Sequence, residues 1–450
     1  MYLGIDIGSS KAAAAAIDGA GATQASAARP YPAEAVLPGR RHEQECALLI
    51  EHAWAAVRAL PEQVRGEVRG IGVTGQMHGV VCCDGEARPT GPLITWQDQR
   101  ALEEEGFLGG LCEATGHRLA PGFGSVSLAW LVAHEALPPG TCQAGTVMDM
   151  AVAWLCGSGR LAMDATNAAS WGLFDLRRGE WDWRGVEAAR IPRSLMPPVA
   201  ECGATAGLLD AERAALLGLP AGIPVIAAVG DNQASMLATL CEPERELALT
   251  LGSGGQLSAV VRRDEAFPWP AGGDAWELRP FPDGRLAVVA ASPAGGSAWR
   301  WLAEAARNAL NDLGCGALPE EEIFSKLNGL GLEAEGRGGL SIAPHFLGER
   351  PAPELRGAIT GIDLRNFRLG PLARALAWSI VENLNSMLPA FARAGRTSVA
   401  ASGNGLRRNP LLRGAAEEVL GLPLRLAEAC EEAAVGAALL AAGRRGSGGS

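Results

Sequence analysis

The sequence predicts an α/β protein built of two related domains, and three observations carry that prediction. First, two glycine–serine turns lie far apart, each between apolar runs: Ile5-Asp6-Ile7-Gly8-Ser9-Ser10-Lys11 and Leu249-Thr250-Leu251-Gly252-Ser253-Gly254-Gly255. Apolar runs joined by small turn residues read as β-hairpins. Such turns leave backbone N–H groups pointing outward, an arrangement that nests an anion. Second, at 450 residues the chain exceeds the size at which one hydrophobic core stops growing. Third, an apolar run at 224–230 delivers Asp231 at its end and continues as a helix of small and apolar residues. One turn per half suggests two domains that hold a polyphosphate between them.

The elements follow in order. Residues 1–18 form the first hairpin. Residues 70–75 read as a buried strand that opens on the polar loop Gln76-Met77-His78. A hairpin edge at 80–83 turns at Asp84-Gly85. A short strand from Leu93 leads through Trp96, Gln97, Asp98 and Arg100 into an acidic helix start at Glu103 to Glu105. Thr146 leads into a helix closed by Gly157. Pro243 and a cluster of charges interrupt the pattern near 241–246, so the domains are expected at 1–241 and 242–443. In the second half a strand at 287–291 meets the loop Ser292-Pro293-Ala294-Gly295-Gly296. A helix is expected over 372–394, with Leu376, Ile380, Leu384 and Leu388 at helical spacing. A strand at 397–401 opens on Ser402-Gly403-Asn404-Gly405. The last helix, 433–442, is almost wholly small residues and suits close packing at a domain junction. The tail 444–450 reads as flexible.

Composition narrows the function classes. The chain is 48% hydrophobic and 20% charged, as a folded protein is. Its net charge of −11 argues against nucleic acid or an acidic membrane surface as partner, though not against a nucleotide bound by local dipoles. No stretch reads as a membrane span or a targeting segment. The ten cysteines lack zinc-site spacing, and Cys82-Cys83 read as buried strand residues. A cytoplasmic protein with reduced thiols is expected.

Three groups of residues carry chemistry. Asp6, at a strand end before a phosphate-type turn, reads either as a holder of Mg²⁺ or as a turn cap. Asp231 has the placing of a general base, which accepts a hydroxyl proton as an alcohol attacks a γ-phosphate; it also reads as a helix N-cap, and the two roles coexist. Gln76, Met77, His78, Trp96, Gln97, Asp98 and Arg100 offer amides, rings and charges suited to a polyol, although each alone reads equally as structure.

These residues fall in motifs that resemble the FGGY family of carbohydrate kinases over nearly the whole chain. The motifs are Thr74-Gly75-Gln76-Met77-His78-Gly79-Val80, Thr95-Trp96-Gln97-Asp98, Asn167-Ala168-Ala169-Ser170-Trp171-Gly172 and Gly230-Asp231-Asn232-Gln233-Ala234-Ser235. In the second half they are Pro344-His345-Phe346-Leu347-Gly348-Glu349-Arg350, Val381-Glu382-Asn383-Leu384-Asn385-Ser386-Met387 and Ser402-Gly403-Asn404-Gly405-Leu406. The resemblance implies two actin-like (ribonuclease-H-like) ATPase domains with ATP and Mg²⁺ in a nucleotide cleft. It implies Asp231 as catalytic base, Asp6 and Asp231 at the metal, and Gly8, Ser9, Ser10, Lys11, Gly252, Ser253 and Gly254 at the phosphates. Gly295, Gly296, Gly403 and Asn404 would flank the nucleoside. Gln76, Met77, His78, Trp96, Asp98, Asn232 and Gln233 would hold the sugar. The Trp-Gln-Asp and Asn-Ala-Ala-Ser-Trp-Gly stretches point to a seven-carbon ketose, phosphorylated at its terminal hydroxyl by a monomer or homodimer.

One departure from the family pattern stands out. A basic residue usually follows the first aspartate by seven positions; here Ala13 stands there, and Lys11, one of only two lysines, lies two residues earlier on the same strand face. The rival readings are another sugar kinase, such as a xylulokinase, and a nucleotide-gated binding protein of the actin-like fold.

Overall fold

The computed structural model describes all residues except 33–38, 264–266, 268, 270–274, 317, 350–351, 353, 429–430 and 444–450. Arg350 and the tail expected to be flexible therefore lie outside the described residues. The chain forms two compact units. The first comprises Met1–Ala238, Arg279–Gly284 and Ala429–Ser450; the second comprises Thr239–Leu278 and Arg285–Glu428. The chain changes unit after Ala238, and no single cut divides it, because the last helix folds with the first unit.

In the first unit a seven-stranded sheet is built from β1 (Tyr2–Ile7), β2 (Lys11–Ile17), β3 (Thr23–Pro30), β4 (Ile71–Gly75), β5 (Thr205–Leu208), β6 (Pro224–Ile226) and β7 (Val229–Gly230). The order is β5-β6-β4-β1-β2-β3, with β7 also paired to β4. Both faces of the sheet are covered, which explains the near-continuous apolar strands. On one face, Ala12, Ala14 and Ala16 of β2 join Leu49, Ala53 and Trp54 of α1 (Cys46–Arg58) in the main core. On the other, Ala15 and Ile17 pack with Ala434, Val435 and Ala438 of the C-terminal helix Glu432–Ala441.

Small residues let that helix lie directly on the sheet. A Cβ on Gly4 or Gly72 would collide with the backbone of Ala434 or Ala437, and one on Gly436 with that of Ala234. The sequence pattern is thus a packing requirement inside one unit.

The second unit's sheet, whose edge strand β10 ends within the Arg279–Gly284 segment counted with the first unit, has six strands in the order β10-β11-β9-β8-β12-β13. Its strands are β8 (Glu246–Leu251), β9 (Gly255–Val261), β10 (Trp276–Phe281), β11 (Arg285–Ser292), β12 (Ser398–Ser402) and β13 (Leu424–Leu426). The central hairpin β8–β9 and its parallel neighbour β12 repeat the plan of β1, β2 and β4.

Two expected helices differ. The helix foreseen over 372–394 spans Leu369–Met387 and stops before Pro389, whose ring removes an N–H; Ala390–Arg393 then forms a separate turn of helix. The acids Glu103 to Glu105 do not start a helix. Gly106, at φ 83°, reverses the chain first, and the helix begins at Phe107.

Candidate active site

Strand register gathers the first unit's candidates. Ile7 of β1 stands beside Gly75 of β4, and Gly75 beside Gly230 of β7, all three strands running parallel. Gly8, Gln76 and Asp231 therefore follow the carboxyl ends of three adjacent strands, the usual place for ligands on open α/β sheets. Asp231 opens the helix Asp231–Thr239.

The Asn-Ala-Ala-Ser-Trp-Gly motif explains how these ends are held. It lies on the short helix Ala165–Ser170. Asn167 Nδ2 donates to the Ala228 carbonyl at 2.8 Å, and the Gly230 amide donates to Thr166 Oγ1 at 2.8 Å, which fixes the strand that presents Asp231. From the other end of the helix, the Ser170 carbonyl accepts from His78 Nδ1 at 2.7 Å, while the Ser170 hydroxyl accepts from the His78 amide at 3.2 Å.

A carbonyl only accepts, so Nδ1 carries the proton and the neutral ring has its lone pair on Nε2, where it can accept from a hydroxyl. His78 is held at φ 72°, a conformation uncommon for residues other than glycine, and its ring stacks on Phe123 at 5.1 Å. Met77 is buried against Gly230, where a Cβ would press on its sulfur.

Gln76 is buried; its Nε2 donates to Gln44 Oε1 at 2.8 Å, and Gln44 in turn donates to the Ser9 carbonyl at 2.8 Å. Gln76 Oε1 is buried without a partner, as is Gln233 Oε1. Gln233 Nε2 donates to the Pro280 carbonyl, and Asn232 Oδ1 accepts from Arg279 at 3.3 Å. Trp96 is 47% exposed, and its indole N–H donates to Ser9 Oγ at 3.0 Å, so it links the sugar-type loop to the first turn.

Asp98 is a correction. It is fully buried, and its oxygens accept from the Arg100 guanidinium at 2.8 and 2.9 Å, the Arg100 amide at 2.9 Å and the His42 amide at 2.8 Å. Four donors saturate a carboxylate. Asp98 has no acceptor capacity left for a sugar and, with the buried Arg100, shapes the loop.

The two turns are built alike. In the first, Gly8 donates to the Lys11 carbonyl at 3.1 Å, and the amides of Ser9 and Ser10 have no protein partner among the described residues. In the second, Gly252 donates to the Gly254 carbonyl, and the amides of Ser253 and Gly254 are likewise open. Gly295 and Gly296 donate to the carbonyls of Ser253 and Gly252 at 3.0 and 2.8 Å, so their amides brace the turn and are not open to a ligand. Gly403, at φ 88°, lies so close to Leu251 that a Cβ would press on its backbone; Asn404 is exposed beyond it.

Electrostatically the first unit's site is acidic. Burial raises the Asp6 carboxyl to about 7, the charges of Asp231 and Glu431 add to the rise, and Lys11 opposes it. Burial likewise raises Asp231 to about 6, opposed by its own helix amides and by Arg279. Asp6 Oδ1 is buried without a hydrogen-bond partner. An orphaned carboxylate oxygen near a second carboxylate suits a hard divalent cation. Among the described residues no group of three or more His, Cys, Asp or Glu side chains is arranged to hold a metal, so the fit is to an ion that keeps waters and phosphate oxygens.

Sequence reading missed Gln44, Thr166, Arg279 and Glu431. Each stands far along the chain from the atom it touches, so no local spacing marks it.

This arrangement of phosphate-type turns, a strand-end acid and a polyol-type loop defines a sugar kinase. The chain belongs to the FGGY family of carbohydrate kinases, whose N-terminal domain matches residues 1–238 and whose C-terminal domain matches residues 278–443. It is similar to the sedoheptulokinases of Mus musculus and Homo sapiens, each 32% identical and each covering 98% of this chain and 97% of its own length. Among solved structures it is similar to the xylulose kinase of Rhodospirillum rubrum, with a TM-score of 0.82, 27% identity and coverage of 100% of this chain and 91% of that one. Among the described residues no helix is long and apolar enough to cross a membrane.

Proposed function

We propose that this protein transfers the γ-phosphoryl group of ATP to the terminal hydroxyl of a ketose, with sedoheptulose as preferred substrate and sedoheptulose 7-phosphate as product. The placing of Asp231 past the end of β7, level with Gln76 and Gly8, carries the reading. Asp231 accepts the proton of the attacking hydroxyl and aims its oxygen. His78, through Nε2, accepts a hydrogen bond from a sugar hydroxyl, and Trp96 offers an apolar ring to the carbon face. Gln76, Met77, Asn232 and Gln233 complete the sugar's surroundings. The open amides of Ser9 and Ser10 bind phosphate oxygens, as do those of Ser253 and Gly254; Gly403 and Asn404 serve the nucleoside. Asp6 and Asp231 hold Mg²⁺, which neutralises phosphate charge when bound. The reaction belongs in the cytoplasm, where ATP is supplied.

The choice of a seven-carbon ketose rests on the likeness to sedoheptulokinases over nearly the full length of both chains. A coupled assay of ADP release across sedoheptulose, xylulose, ribulose, fructose and glycerol tests it. The expected result is the highest kcat/KM with sedoheptulose. A higher value with xylulose makes the protein a xylulokinase, and ADP release indifferent to every sugar removes the kinase reading.

A further inference from the structure

The nucleotide-binding part of the proposed function leaves one ion pair unexplained. Lys11 Nζ lies 2.7 and 2.6 Å from Oε1 and Oε2 of Glu431, 420 residues along the chain. Asp6 pairs with Ala13 across the β1–β2 ladder, so the two share a face, and Lys11 is two residues from Ala13 on that same face. It is the face on which the C-terminal helix lies, and Glu431 is the residue just before that helix. Gly4 and Gly72 fix the helix against the sheet backbone to backbone, so Glu431, at its N-terminal end, is held by the fold. The Lys11 side chain is 42% exposed and that of Glu431 is 16% exposed. The ammonium is therefore the outer member of the pair, at the end of the turn that carries the open amides of Ser9 and Ser10.

An ammonium has three N–H donors, and Glu431 takes two of them. We propose that Lys11 gives its third to a nucleotide phosphate, and that Glu431 is the positioning residue that anchors it there in place of the basic residue absent at Ala13. The pair also has an electrostatic function. Asp6, Asp231 and Glu431 all raise the negative potential that a polyphosphate meets. Lys11 stands between Glu431 and the incoming phosphate and cancels its charge; without Lys11, a fixed and largely buried carboxylate faces the anion.

The test is the dissociation constant of ADP, measured by titration calorimetry without sugar, for the wild type, Lys11→Met, Glu431→Gln and the double variant. Lys11→Met is expected to weaken ADP binding about tenfold or more, the scale of one charge-assisted contact. Glu431→Gln, which frees the ammonium from its anchor, is expected to weaken it about threefold, less than Lys11→Met does, and an unchanged constant overturns the positioning role. The double variant is expected to bind more tightly than Lys11→Met alone, because the bare carboxylate is gone. Lys11→Arg, which keeps the charge, is expected to stay near the wild type.

A merely structural pair would lower Tm in the single variants and leave the ADP constants together; that result overturns the proposal. So does a double variant no tighter than Lys11→Met. The inference rests on the kinase reading, and sugar-dependent ADP release by the wild type separates the two failures. With that activity present and Lys11→Met binding ADP normally, only the role of the pair falls; with it absent, the kinase reading falls and the pair's role falls with it.

Discussion

His78 Nδ1 donates to the Ser170 carbonyl oxygen at 2.7 Å, and this contact fixes both the tautomer and the aim of the imidazole. The bond joins the Gln-Met-His loop to the helix bearing Asn167, so the same six-residue helix sets the sugar-type loop and the strand of Asp231. His78→Asn keeps a side chain that tolerates positive φ but removes the ring. It is expected to raise the ketose KM about tenfold, the loss of roughly one hydrogen bond, with the ATP KM within about twofold. Equal rises in both constants would place His78 outside the sugar site.

The raised carboxyls predict an acid limb. A base acts only when ionised, and Asp231 lies at about 6 beside Asp6 at about 7, so the two titrate as a pair. Mg²⁺ keeps both carboxyls ionised to lower pH, so kcat/KM at subsaturating Mg²⁺ is expected to fall as pH drops below about 6 to 7, and the limb is expected to move to lower pH as Mg²⁺ is raised. A limb indifferent to Mg²⁺ concentration would contradict it.

The same shifts bear on stability with the opposite sign. A carboxyl whose folded pKa lies above its unfolded value holds a proton in the fold that the unfolded chain has released. Its contribution is present at low pH and lost as pH rises toward 7. The Tm of metal-free Asp6→Asn is therefore expected to depend less on pH between 5 and 7.5 than that of the wild type. A steeper dependence in the variant would show that Asp6 is ionised in the fold.

Gly72→Ala tests the seating of the C-terminal helix. The added methyl would enter the backbone of Ala437, where no side chain can move aside. Overpacking of this kind costs about 1–3 kcal/mol or more. The expected outcome is a Tm several degrees lower or loss of folded protein; an unchanged Tm would mean that the helix does not lie on β4.

What was legible in the sequence follows a physical rule. The two hairpins were readable because small turn residues between apolar runs have few other solutions. Asp231 was readable because an acid at the end of an apolar strand needs a reason to be there. The end of the helix before Pro389 was marked in the sequence, yet the apolar period through Leu388 outweighed it. Asp98 was misread because residue type reports capacity for hydrogen bonds, not whether neighbours such as Arg100 and His42 already fill it. The placing of the last helix in the first unit was illegible, since Gly4, Gly72 and Gly436 meet their neighbours only through chain separations of hundreds of residues.

The central claim is that Asp231 takes the proton from a sugar hydroxyl during phosphoryl transfer. The most direct measurement is sedoheptulose-dependent ADP release by wild type and Asp231→Asn, alongside calorimetric binding of the sugar to each. Asp231→Asn is expected to retain sugar affinity with kcat lower by about 10²–10⁴, the range for loss of a general base. Near-normal turnover in Asp231→Asn would contradict it.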